Sequence, residues 1–282
     1  MGEASRRRSA VKLNIAGKFC AYCAMTPAET EEHMPPKIMF RKKDRPPGLE
    51  IPACVRCNNG TGHADLVAAL ATRFFASDEE YREVDEDLER IFRGIRNNRP
   101  DVLVGMLQRR AAEKFFLKSQ ASPMAREAGF KFVKINPVFD WYLKLFSKKL
   151  VLALAYNERQ EPLPTSAGVI AAWRTNHQLM SDDYPSEITS LLPTTDTLKQ
   201  GKKEAFGQFR FASKSDPAKT TGICRANFNL SFSVYGLWTV DRGMLEPQSE
   251  DGPSVFTPDD FAQLADEASQ RKLDPGVKGW SY

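Results

Sequence analysis

The spacing of apolar residues divides the chain into a turn-rich start, a charged helical middle and an alternating end. Between Phe19 and Gly60 no helical period persists, and turn-formers predict loops and a short hairpin with Glu50 to Val55 as its second strand. Leu66, Leu70 and Phe74 then recur every four residues with Val67, Ala71 and Phe75 beside them, the stripe of an amphipathic helix. Ser77 or Asp78 caps a second helix with Tyr81, Val84, Leu88, Ile91 and Ile95 as its apolar face, broken at Asn97-Asn98-Arg99-Pro100. A third helix runs through Leu103, Leu107, Ala111 and Phe115. Gly129 to Asn136 reads as a strand, and Pro137 opens the most apolar helix, Phe139 to Tyr156.

Glu161-Pro162-Leu163-Pro164 interrupts the pattern, and Thr165 to Met180 reads as helix. Beyond Pro193 the period falls to two. Phe209 and Phe211, then Phe228, Leu230, Phe232 and Val234, alternate with polar neighbours, which predicts half-buried antiparallel strands joined through Ser213 to Gly222. Thr257-Pro258-Asp259-Asp260 starts a last helix with Phe261, Leu264 and Ala268 on its inner side. The sum is an α+β chain in three parts: residues 1–76, a helical segment 77–160, and an α+β region 161–282 with antiparallel strands and no legible role.

Composition changes this picture little. Of 282 residues, 41% are hydrophobic and 27% charged, ordinary values for a folded chain rather than a disordered one. The longest apolar run, Leu150 to Tyr156, is too short to span a bilayer. Arg6-Arg7-Arg8 leads into Val11-Lys12-Leu13-Asn14, not into the apolar core of a secretory signal, so a cytoplasmic location and no membrane partner are expected. Net charge is only +4, but residues 1–60 hold eleven Lys/Arg against six Asp/Glu. The positive excess therefore sits at the start of the chain, where a polyanion is expected to bind.

Four of the five cysteines form two Cys-x-x-Cys knuckles, Cys20/Cys23 and Cys54/Cys57. Each knuckle aims two sulfurs at one point, so together they predict a closed, structural tetrahedral Zn²⁺ site. In a reducing compartment such pairs read as metal ligands sooner than as disulfides. The hairpin between them has little apolar surface, so the ion must supply much of its folding free energy. Cys224, in a strand-like stretch, reads as an inert buried thiol.

Between the knuckles stands Glu31-Glu32-His33-Met34-Pro35-Pro36, and the second knuckle runs directly into Asn58. Cys-x-x-Cys, Glu-His-x-x-Pro, then Cys-x-x-Cys-Asn followed by a helix resembles the HNH endonucleases, over roughly residues 19–76. The resemblance implies a ββα-metal, treble-clef-like finger and hydrolysis of nucleic-acid phosphodiester bonds, DNA first among them. It makes His33 the general base, and Glu32 and Asn58 ligands of a divalent cation, Mg²⁺ or Mn²⁺, with His63 or Asp65 as the third ligand. Two departures stand out. Thr61 and Gly62 occupy the place of the family's usual last ligand, and no amide stands near Leu49 or Glu50, where the family has its middle Asn. A neutral imidazole can accept a proton from water near neutral pH, which is the chemistry a general base needs. Lys37, Arg41, Lys42, Lys43 and Arg45 form a basic turn suited to phosphates. His63 and His177 alone read as structural histidines, and Asn58 equally as a helix cap. A non-catalytic zinc-dependent nucleic-acid-binding protein and a protein-interaction clip are the alternatives; a homo-oligomer or protein partner through the C-terminal region stays open.

Overall fold

The computed structural model describes residues 15–73, 85–104, 135–175, 190–192, 194–205, 207–229, 231–245 and 254–272. In chain order their elements are β1 (Thr30–His33), β2 (Glu50–Ala53), α1 (Val55–Gly60), α2 (Gly62–Ala71), α3 (Asp85–Asn98), α4 (Pro137–Arg159), β3 (Gly168–Thr175), β4 (Lys199–Gln200), β5 (Lys203–Glu204), β6 (Arg210–Ser215), β7 (Thr221–Phe228), β8 (Phe232–Thr239) and α5 (Pro258–Gln270). The class is α+β, and every strand pairing is antiparallel.

The middle of the fold is α4. Pro137 sets its first turn, and the Asn136 side chain caps it by accepting from the Phe139 amide at 2.8 Å. At the other end Gln160 takes a left-handed conformation, φ 64°, and closes the helix. Phe146 meets Phe228 and Phe232, while Phe139, Tyr142, Leu150 and Leu154 are fully buried. One side of α4 lies on the sheet β3-β8-β7-β6 and another on α2. Helix and sheet approach so closely at Gly236 that a Cβ there would lie 2.3 Å from Val151. Among the described residues no helix is long and apolar enough to cross a membrane.

Strand β7 alternates strictly between half-buried and buried positions, with Cys224 and Phe228 inside. Phe228 and Phe232 face each other in register across the turn into β8, so the run from Phe228 to Val234 is a hairpin rather than one strand. The segment joining β6 and β7 is shorter than the run from Ser213 to Gly222 suggests, because both strands extend into it.

The helix expected from Thr165 to Met180 is a correction: Gly168–Thr175 is β3, paired with β8 over eight residues. Its alanines suit a helix locally, but Val169 and Ala171 pack inward under α4, and ladder bonds to β8 complete the sheet edge. Leu66 and Leu70 lie on α2 as expected, and Leu88, Ile91 and Ile95 on α3; Phe74, Phe75, Ser77, Asp78, Tyr81 and Val84 lie outside the described residues. So do Leu107, Ala111 and Phe115, the run 129–134, residues 176–180 with His177, Leu230, and the Arg6 to Arg8 arm. Helix α5 carries the expected start as a capping box, Thr257 Oγ1 accepting from Asp260 N at 3.1 Å and Asp260 Oδ2 from Thr257 N at 2.8 Å.

Helix α5 also docks on the knuckles. The Gly60 backbone lies so near Ala265 that a Cβ would come 2.6 Å from its carbonyl. Arg56 grips Asp266 through two nitrogens, at 2.8 and 2.5 Å. Tyr22, between the first two cysteines, rests on Phe261 with ring centroids 5.6 Å apart. A continuous apolar cluster thus runs from Cys20 and Tyr22 through α4 to the sheet and α5.

Candidate metal centre and the two faces of the hairpin

The four knuckle sulfurs lie within 4.8 Å of one another, all buried, and none forms a disulfide. Local chain geometry brings them there. Cys20 N donates to Thr26 O and Ala24 N back to Cys20 O, folding the first knuckle, while Ala21 N reaches Pro52 O and ties it to β2. Cys54 caps α1, its sulfur accepting from Cys57 N, which places Cys57 in the first turn beside it. Hydrogen bonds among the crowded thiols push Cys20 and Cys57 up, and the same contacts pull Cys54 down to about 7 and Cys23 down as well. Tetrahedral Zn–S bonds of about 2.3 Å separate sulfurs by just under 4 Å, so this donor set fits a closed thiolate site for a metal such as zinc.

Strand β1 alternates, and its two faces carry different chemistry. Glu32 turns inward. Its Oε1 lies 3.4 Å from the Lys149 ammonium, which stands 2.8 Å from Asp65 Oδ2. Lys149 is fully buried on α4, Glu32 is 6% exposed and Asp65 8%. Burial, against the opposing charge of Lys149, raises Glu32 to about 7, and Asp65 is raised for the same reason. Charge balance explains why: one ammonium neutralises one carboxylate, and the second keeps its proton more readily. The remaining oxygens, Glu32 Oε2 and Asp65 Oδ1, and the Tyr22 hydroxyl have no hydrogen-bond partner among the described residues.

His33 turns the other way. It is the register partner of Glu50 across the hairpin, and its Nδ1 lies 3.3 Å from Glu50 Oε1. Burial would raise Glu50, but the His33 hydrogen bond, the Arg45 charge and the Gly48 amide together hold it down at about 2. An ionised carboxylate has no hydrogen to give, so Nδ1 is the donor in this contact and Nε2 points away from Glu50. Arg45 completes the loop. Its buried guanidinium donates to the carbonyls of Met34, Pro35, Pro46 and Gly48 and to Glu50, whose two oxygens also accept from Gly48 N at 3.0 and 2.8 Å.

The expected second cation site is not assembled. Glu32 and Asp65 do meet, but around Lys149, and the base expected to share their cleft lies on the opposite face of β1. Asn58 donates its amide to Thr30 Oγ1 at 3.0 Å, and its backbone N is bonded to Cys54 O. His63 stands edge-on to the Tyr142 ring at 6.3 Å, lowered first by burial and then by the charge of Arg99. With an ammonium between its two carboxylates, this donor set does not fit a divalent cation. Of the basic turn, Lys37, Lys42 and Lys43 are exposed and Arg41 half-buried, whereas Arg45 is a buried tie inside the loop. The group of three or more metal-type ligands found among the described residues is the cysteine set.

No protein-family model, curated protein or solved structure matches the chain. Three residues of the site escaped the sequence pattern. Glu50 lies in the stretch around Leu49 and Glu50 that holds no amide, and an acid there gives no signal in the sequence. Arg45 read as one more surface charge. Lys149 carries a visible sign: it falls seven residues from Tyr142 and three from Phe146 and Leu152 along the apolar stripe of α4, where a lysine needs a buried partner.

Proposed function

We propose that this chain is a zinc-stapled nuclease of the HNH type, hydrolysing nucleic-acid phosphodiester bonds, DNA foremost, with His33 as the general base. The order of knuckle, β1–β2 hairpin, knuckle and α1–α2 supports the ββα-metal, treble-clef-like reading. One observation carries the reading: Glu50, opposite His33 in register, lies 3.3 Å from Nδ1 and orients the imidazole, and in the neutral ring this leaves Nε2 to accept a proton. Such a dyad takes a proton from an attacking water at Nε2, and the carboxylate stabilises the imidazolium that forms. Arg45 and the Gly48 amide hold the carboxylate in place, which is the loop-fixing work that the missing Asn performs in the resembled family. Lys37, Lys42 and Lys43, exposed on the turns between β1 and β2, supply positive charge for the phosphate backbone.

The test is cleavage of labelled DNA and RNA by the zinc-loaded chain and by His33→Ala, which should lose about 10²-fold or more in rate. Equal rates for the two proteins would overturn the assignment. A second reading has its own support. The ammonium between Glu32 and Asp65 favours a zinc-dependent nucleic-acid-binding protein without turnover, and a gel shift that weakens on charge removal at Lys42 and Lys43, without cleavage by the wild type, would establish it.

A further inference from the structure

We infer that Lys149 is the resident cation of the finger: its ammonium occupies the acid pair that a divalent metal ion would otherwise hold, and it locks α4 to the hairpin there. The inference rests on the HNH reading only for the comparison with a metal site; the placement of the charges is independent of it.

The ammonium has no exposed surface, and both its carboxylate partners come from the finger, Glu32 from β1 and Asp65 from the first turn of α2. The Tyr22 ring lies beside them, 5.9 Å from Nζ, and brings the first knuckle to the same point. Three segments of the finger therefore converge on one side chain from an element more than eighty residues away in the chain. Two carboxylates buried this close repel unless a cation lies between them, and a lysine delivered by a rigid helix provides one without an ion from solution. A divalent ion entering the same place would have to expel the ammonium from its partners into an apolar helix interface, since Tyr142, Phe146 and Leu150 are fully buried near it along α4. The native chain thus has no divalent site at Glu32 and Asp65, and removal of the ammonium creates one.

The experiment uses the full, zinc-loaded chain with Mn²⁺ as probe, read by the loss of the free-ion magnetic resonance signal and by the shift in unfolding temperature. Wild type and Glu32→Gln should bind Mn²⁺ alike, and Lys149→Met should gain a single Mn²⁺ site, with a Mn²⁺-dependent rise in unfolding temperature, that Lys149→Met/Glu32→Gln lacks. A wild-type Mn²⁺ site abolished by Glu32→Gln or Asp65→Asn would overturn the inference, as would a folded Lys149→Met protein that gains no site. If Lys149→Met does not fold, the comparison of wild type with Glu32→Gln and Asp65→Asn decides. Nuclease failure reads out separately: if neither wild type nor His33→Ala cleaves, the nuclease reading falls while the Mn²⁺ result stands.

Discussion

The two faces of one two-stranded hairpin use acids in opposite ways. On the inner face Glu32 joins Asp65 around a buried lysine, and burial raises its carboxyl to about 7. On the outer face Glu50 is a quarter exposed, is held at about 2 by His33, Arg45 and Gly48, and faces an imidazole as its hydrogen-bond acceptor. The same residue type is thus a structural tie where water is excluded and, where the hairpin is open to solvent, an ionised partner of an imidazole, the pair that the proposed function uses as a base. Strand alternation separates Glu32 from His33, and so the two faces, by a single peptide bond.

Zinc removal should erase the comparison altogether. Chelation is expected to unfold the knuckles and hairpin, at a cost on the order of 10 kcal/mol at neutral pH, seen as loss of hydrogen-exchange protection in residues 19–60 while α4 and the sheet keep theirs. Lys149→Met breaks the inner face alone. Leaving two buried carboxylates without their cation should cost about 3–5 kcal/mol in chemical denaturation, whereas loss of an exposed pair would cost under 1 kcal/mol.

Glu50→Gln breaks the outer face. It should lower the cleavage rate on the order of tenfold by releasing the tautomer while preserving the Gly48 contact. It should also alter acid stability. The folded value of Glu50 lies below the ordinary 4.5, so its contribution is present above about pH 4.5 and fades as pH falls toward 2. Between those limits wild type should lose about 1–2 kcal/mol more than Glu50→Gln, a difference already discounted for partial exposure. The smallest effect is a control on both faces. Thr257→Ala removes the α5 capping box and should cost about 1 kcal/mol without changing cleavage or the Mn²⁺ titration.

The legible parts were those governed by local chemistry. The knuckles, the Pro137 and Thr257 helix starts and the alternation of β7 are each set within a few residues, and their spacing showed them. Beyond that reach the sequence misled or fell silent. Thr165 to Met180 looked helical because its alanines tolerate either state, and only the ladder to β8 decides between them. Glu32 and His33 were expected to share one cleft, yet the pairing of β1 with β2 leaves no bend between them. Lys149 and Asp65 are 84 positions apart, and nothing short of the packing of α4 on α2 joins them. Glu50 lay in plain view, but its worth depends on its register with His33.

The central claim is that catalysis belongs to the outer face and cohesion to the inner one. The most direct measurement is the cleavage rate of one labelled nucleic-acid substrate by wild type, His33→Ala and Glu32→Gln, each confirmed as folded and zinc-loaded. The outer-face account predicts a loss of about 10²-fold or more for His33→Ala, with Glu32→Gln within about threefold of wild type. An equal loss in both variants would contradict it, because Glu32 would then act on the reacting phosphate rather than on Lys149.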